Sequence, residues 1–279
     1  QVLKGFGQQG TGAWASGGNL NTGRHYSGAG GTQTAAILVG GTPSAVTETY
    51  DGSTWTEILD PNTPRQGAGG AGTQTSLLYY GGNPASGATE LWNGSTWTEK
   101  NDLNTARGLA AELGIATAAI MAGGSAPSPT VAIVEQWDAT SWTEVADLND
   151  ARIEFAGAGT VTAGLVFGGR IPTTGNTESW NGTSWTETNN MNTARQDAGG
   201  CGTQTAALTF GGTPPNVGLT ESWNGTSWTE VADLGTARYA QQGLGTSIAA
   251  LWGGGNVPPS TNVTEEWNIP DATKTFTAS

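Results

Sequence analysis

Six arginines, Arg24, Arg65, Arg107, Arg152, Arg195 and Arg238, recur at near-constant spacing and make up six of the ten cationic side chains in a 279-residue chain of formal charge −13. A guanidinium is a planar fork of N–H donors that suits carboxylates and other acidic groups, so this series is the first candidate for ligand binding. Its alternative role is structural, each fork tying adjacent units through carbonyls or carboxylates. Acids also recur, in the pairs Glu48 and Glu57, Glu90 and Glu99, Glu135 and Glu144, Glu178 and Glu187, and Glu221 and Glu230. A Ca²⁺ ion wants six or more clustered oxygens, and a solvated, solubilising rim is the simpler reading of these pairs. Because such acids repeat from unit to unit, no acid–base pair is singular, and no catalytic residue is expected.

The remaining reactive types are sparse. One cysteine, Cys201, excludes an intrachain disulfide and any zinc or iron–sulfur site built on cysteine clusters; no metal and no cofactor is expected. In the run G-G-C-G-T, with no suitably placed histidine, Cys201 reads as a small buried thiol. Asn93-Gly94-Ser95, Asn181-Gly182-Thr183 and Asn224-Gly225-Thr226 match the glycosylation pattern, yet Asn-Gly is also what a tight turn requires. The acidic balance disfavours nucleic acid and anionic membranes as partners, and no stretch approaches the roughly 20 apolar residues that span a bilayer. The opening Gln1-Val2-Leu3-Lys4-Gly5 has neither an apolar signal region nor an initiator Met, which fits a removed leader or a piece of a longer chain.

The elements that must carry these residues are written six times. A short apolar run ends in a double glycine at Gly40-Gly41, Gly81-Gly82, Gly123-Gly124, Gly168-Gly169, Gly211-Gly212 and Gly253-Gly254. The period of 41 to 45 residues holds four short strands but no self-sufficient core, so each unit must bury its faces against neighbours. The first strand, as at 198–203, is nearly all Gly and Ala and suits a crowded axis; the second, as at 206–210, is apolar throughout and suits burial on both faces. The third and fourth flank W-N-G-[ST]-[ST]-W, as at Trp92 to Trp97, where Asn-Gly predicts a type I′ hairpin turn. With either loop length, two or four residues, both indoles fall on one face and are offered to the next unit.

Four antiparallel strands from axis to rim, repeated six times, predict an all-β, six-bladed propeller forming one domain over 1–279. Trp14 stands ten residues before Arg24, as Trp228 does before Arg238, so residues near Gly12 to Gly17 are expected to supply the outer strand of the sixth blade. The tail 270–279, with Phe276, is a rival for that place or an extra strand. In such a meander the six arginines ring one mouth of the axis, together with the varied, Pro-stiffened connections after each double glycine. Varied loops on a rigid scaffold are where recognition is usually placed.

The apolar run with its double glycine, the first aromatic (Tyr50, Trp92, Trp137, Trp180, Trp223, Trp267), the second Trp and the basic residue together resemble the kelch repeat over nearly the whole chain. The uniform, Gly/Thr/Asn-rich and Lys-poor wording is similar to that of kelch-like proteins of phages and environmental bacteria. Copper oxidases within the family need two His and a Tyr–Cys pair, which one His and one Cys cannot supply. In some family members basic residues at this place meet acidic partner segments. The resemblance therefore implies a non-catalytic recognition or display module at an extracellular or virion surface, presenting its loop-rich face to a glycan or protein, with Arg24, Arg65, Arg107, Arg152, Arg195 and Arg238 as contacts. An architectural spacer or capping disc, and a carbohydrate-active hydrolase or lyase, are the alternatives.

Overall fold

A computed structural model describes residues 10–43, 46–127 and 129–270. These residues form six four-stranded antiparallel sheets, and no helix is present among them. In the first blade the strands Gly28–Thr32, Ala35–Val39, Thr47–Tyr50 and Trp55–Ile58 run in sequence order from axis to rim. Blades two to five repeat this order. In the sixth, the inner strands Leu244–Gly245, Ala249–Gly253 and Thr264–Asn268 are completed by Ala13–Ser16, whose Trp14 sits opposite Trp267. The N-terminal segment thus supplies the last outer strand; most of its rival, 271–279, lies outside the described residues.

The near-absence of side chains on the inner strands has a steric cause. A Cβ on Gly70 would come within 2.3 Å of the Ala29 carbonyl oxygen in the neighbouring blade, and one on Gly200 within 2.7 Å of Ala156. Inner strands crowd one another around the axis, and backbone packs directly on backbone.

Each double glycine is required twice over. Both residues have positive φ, at 65° and 102° for Gly40 and Gly41, a region that costs other residues roughly 1–2 kcal/mol. The second N–H then donates to the carbonyl of the next blade's arginine, as Gly41 does to Arg65 at 3.0 Å and Gly255 to Arg24 at 2.8 Å. In the sixth blade the pair with this geometry is Gly254-Gly255, with Gly253 ending the strand; the sequence pattern is therefore offset there by one residue.

Between blades lie six apolar clusters, one per interface, each built on the paired aromatics of one blade and the second strand of the blade before it. The indoles thus face the preceding unit, the reverse of the expected direction. The outer Trp of each blade donates its Nε1–H there: Trp55 to Thr264, Trp142 to Thr89, Trp228 to Thr177 and Trp14 to Thr220 through hydroxyls, Trp97 and Trp185 through the Leu59 and Ala146 carbonyls. Val134 explains one exception, since it stands where the hydroxyl would be and Trp185 must find a carbonyl instead. Where Trp97 turns to Leu59, the Thr47 hydroxyl is left buried and unpartnered.

The W-N-G turns are four-residue loops, with Trp92 directly opposite Trp97. They are not type I′ turns: only Gly94 has positive φ, and the Asn93 Oδ1 accepts the backbone N–H groups of Ser95 and Thr96, both at 2.9 Å. Asp51 and Asp138 do the same work in the two blades without Asn, which is why Trp137-Asp138 fits the pattern.

Candidate functional site

All six predicted contact arginines lie inside the wall rather than on the surface of the mouth. Each reaches a glutamate on the third strand of its own blade: Arg24 with Glu48 at 2.5 Å, Arg65 with Glu90 at 3.0 Å, Arg152 with Glu178 at 2.6 Å, Arg195 with Glu221 at 2.5 Å and Arg238 with Glu265 at 2.6 Å, with Arg107 paired likewise to Glu135. The most accessible of the six, Arg65, has a side chain only 6% exposed. Burial pulls the Arg24, Arg152 and Arg238 guanidiniums below their ordinary range, and the paired glutamates offset part of that.

Each carboxylate is satisfied by more than the arginine. Glu135 also accepts from the Asn104 N–H and Nδ2 and from the Thr105 N–H, so the N-T-A-R run wraps a buried anion. Because the Arg carbonyl accepts from the preceding blade's glycine while its side chain holds its own blade, each arginine braces two blades. The expectation of a cationic contact ring gives way to this bracing. The acidic rim is corrected in the same step: Glu48, Glu90, Glu135, Glu178 and Glu221 are the buried brace partners, and only the opposing Glu57, Glu99, Glu144, Glu187 and Glu230 are solvated.

What does reach the axis is the residue two places beyond each arginine: Tyr26, Gly67, Leu109, Glu154, Asp197 and Ala240. All six are left-handed, with φ between 55° and 62°. In that conformation each donates its N–H to the carbonyl of its counterpart in the preceding blade, from Gly67 to Tyr26 round to Tyr26 to Ala240, at 2.6 to 2.9 Å. Six backbone bonds close a circle around the mouth. Five non-glycine residues hold a conformation costing about 1 kcal/mol each or more, and the circle keeps them there.

This ring position is also where sixfold uniformity fails. The Tyr26 hydroxyl crosses over Ala240 to donate to the Asp197 Oδ1 at 3.1 Å. Asp197 shares a side-chain hydrogen bond with Glu154, which Arg170 engages through Nε at 2.7 Å and Gln196 through Nε2 at 3.0 Å. Burial, and then the Glu154 charge, push the Asp197 carboxyl up to about 7; burial raises Glu154 as well, against the pull of Arg170. Two carboxyl groups in hydrogen-bond contact hold a proton between them. Nearby, the His25 Nδ1 lies 2.8 Å from the Ser260 hydroxyl, and burial lowers that imidazole.

The axis is a channel of about 200 Å³ that begins at the ring residues and is lined below them mainly by glycine and alanine. Cys201 is on its wall, its thiol pushed up by burial and therefore held as the neutral group. No cluster of three His, Cys, Asp or Glu side chains suited to a metal exists among the described residues, and they contain no helix long and apolar enough to cross a membrane.

The mouth acids were not singled out from the sequence, although a signal was there. Aligning the six units on their arginines exposes Tyr, Gly, Leu, Glu, Asp and Ala at one otherwise regular column.

No protein-family model matches the chain, and no curated protein matches it. Among solved structures, the structure of YjhT is similar with a TM-score of 0.73 at 11% sequence identity, over 88% of this chain and 95% of that one. At that identity the likeness concerns architecture alone, and the chain is a six-bladed β-propeller.

Proposed function

We propose that this propeller is a non-catalytic recognition module of kelch type, which binds a glycan or protein with the loop-rich face around the Tyr26–Asp197–Glu154 mouth. The observation that carries this reading is the concentration of unit-to-unit differences on one face. The ring residues differ in every blade, and the connections after the double glycines differ with them, from Asn83-Pro84 to Arg170-Ile171-Pro172 to Thr213-Pro214-Pro215. The braces beneath them are nearly invariant from blade to blade. A rigid body carrying variable loops fits ligand binding with little ordering cost.

The carboxyl geometry favours binding over glycoside hydrolysis. Hydrolytic carboxyl pairs stand about 5–9.5 Å apart to admit a sugar carbon or a water, whereas Glu154 and Asp197 are in hydrogen-bond contact with each other. Display at a cell or virion surface is the setting in which such a module would act.

The test is a glycan array together with recovery of co-purifying molecules, comparing the wild type with Arg170→Ala and Asp197→Asn. Loss of a captured ligand in either variant, with unchanged melting, supports the reading. Capture that survives both replacements places recognition elsewhere, and turnover of a polysaccharide by the wild type would replace the module with an enzyme.

A further inference from the structure

The channel beneath the mouth holds polar groups that the loop-face reading does not use. At its second inner-strand position the six blades carry Ala29, Gly70, Glu112, Gly157, Gly200 and Gly243, so Glu112 is the one side chain there larger than a methyl. Its methylene stem lies over the bare backbone of Gly69, where a Cβ would come within 2.5 Å of it. Gln242, whose amide acts on the Glu112 carboxyl, belongs to the sixth blade and lines the same channel. The inner strands neighbour one another in chain order around the axis, so blades three and six face each other and these two residues line opposite walls of the channel.

A second group points the same way. Gln241, also on the channel wall, is 4% exposed. Its Oε1 is fixed by the Ser27 N–H at 2.9 Å, while its Nε2 has no acceptor among the described residues. At the positions of Glu112 and Gln242 the other blades carry only hydrogen or methyl, and at that of Gln241 no other blade carries an amide.

From this arrangement we infer a second site, within the channel, for a neutral molecule rich in hydroxyl groups and no larger than a single sugar ring. The volume sets the size, since about 200 Å³ is below the roughly 300–1,000 Å³ of sites for larger ligands. The chemistry sets the class. No cationic side chain lines the channel to hold an anion. Glu112 is half-buried on the channel wall, and burial raises its carboxyl to about 8, so at neutral pH it is an uncharged group that both donates and accepts. The amides of Gln241 and Gln242, both from the sixth blade, add donors and acceptors, and a hydroxyl is the ligand group that satisfies both. At the ring end the Tyr26–Asp197 bond spans the opening. At the other end stand only the glycines Gly31, Gly72, Gly114, Gly159, Gly202 and Gly245, so the ligand enters from the turn face.

The experiment uses the whole chain at pH 6.5, with glucose, galactose, mannose and N-acetylglucosamine as neutral probes and glucosamine and glucuronate as charged ones, followed by saturation-transfer NMR and calorimetry. At least one neutral sugar is expected to bind one to one, about tenfold more tightly than either charged probe. Glu112→Gln, which keeps a neutral donor and acceptor, should retain binding within about threefold, and Glu112→Leu should weaken it about tenfold or more. Melting of both variants shows whether the propeller is intact, and Glu112→Gln keeps the test decisive if the leucine variant fails to fold. Silence from every neutral sugar, preference for a charged one, or a folded Glu112→Leu protein that binds as well as wild type overturns the inference. Because Glu112 is remote from the loops, ligand capture on the loop face would persist through any of those failures.

Discussion

Trp14 donates its indole Nε1–H to the Thr220 hydroxyl at 3.0 Å, across 206 residues of sequence, while its ring meets Phe210 edge-on at 4.9 Å and lies against Trp267 at 5.7 Å. Five other outer indoles make the same kind of contact between blades, and Trp55 also spans the chain, to Thr264, but only Trp14 belongs to the N-terminal strand that completes the sixth sheet. Trp14→Ala is therefore expected to lower stability by about 3 kcal/mol, the usual scale for removing a large aromatic side chain, and Trp14→Phe by about 1 kcal/mol through the lost hydrogen bond. Chemical denaturation followed by fluorescence measures both. An alanine variant as stable as wild type would mean that closure does not depend on this strand.

The brace predicts an asymmetry between two members of one acid pair. Arg107→Ala leaves Glu135 buried without its cation and should cost about 3–5 kcal/mol. Glu144→Ala, opposite Glu135 on the same hairpin but solvated, should change stability by less than about 0.5 kcal/mol. Melting temperatures of the two variants decide the matter, and near-equal shifts would contradict the buried pairing.

Stability should fall as pH rises from about 4 to 8. Asp197 and Glu112 ionise near pH 4 in an unfolded chain but are raised to about 7 and about 8 in the folded protein. Between those values the native state keeps protons the unfolded state has released, so each further rise in pH favours unfolding until the folded value is passed. Glu112→Gln should flatten this slope and raise stability at pH 8 by at least about 1 kcal/mol. Thermal melts at pH 5, 6, 7 and 8 read the slope directly; a wild-type curve that climbs with pH would reverse the sign.

Ala139 occupies the left-handed turn position, at φ 78°, that Gly52, Gly94, Gly182 and Gly225 hold in sister blades. Ala139→Gly should stabilise the protein by about 0.5–1 kcal/mol, and Gly94→Ala should destabilise it by a similar amount. The pair of midpoints in urea provides the check, with the two substitutions expected to move in opposite directions.

The architecture was legible in the sequence because glycine, tryptophan and Asn-Gly each answer to local geometry. Crowding at the axis selects Gly and Ala, and paired indoles fix the hairpin. Burial of charge is not local. Glu48 follows Arg24 by 24 residues and Glu90 follows Arg65 by 25, yet nothing in a T-E-T-Y segment says that the acid faces inward until the strand is paired and the N-T-A-R run folds over it. Read separately, one series resembled a binding ring and the other a solvated rim. Tyr26, Glu154 and Asp197 were hidden for another reason: their meaning depends on converging at one axis from blades one, four and five.

Because Ala13–Ser16 completes a sheet begun by Leu244–Gly245, the structural blade is out of step with the sequence unit. Recombination that adds or deletes an internal 41–45-residue unit leaves this clasp untouched, so copy number can drift in the gene while the fastening between first and last strands is inherited intact. A truncation at the first strand, by contrast, exposes the Phe210 and Trp267 slot and turns a sealed disc into one with a sticky edge.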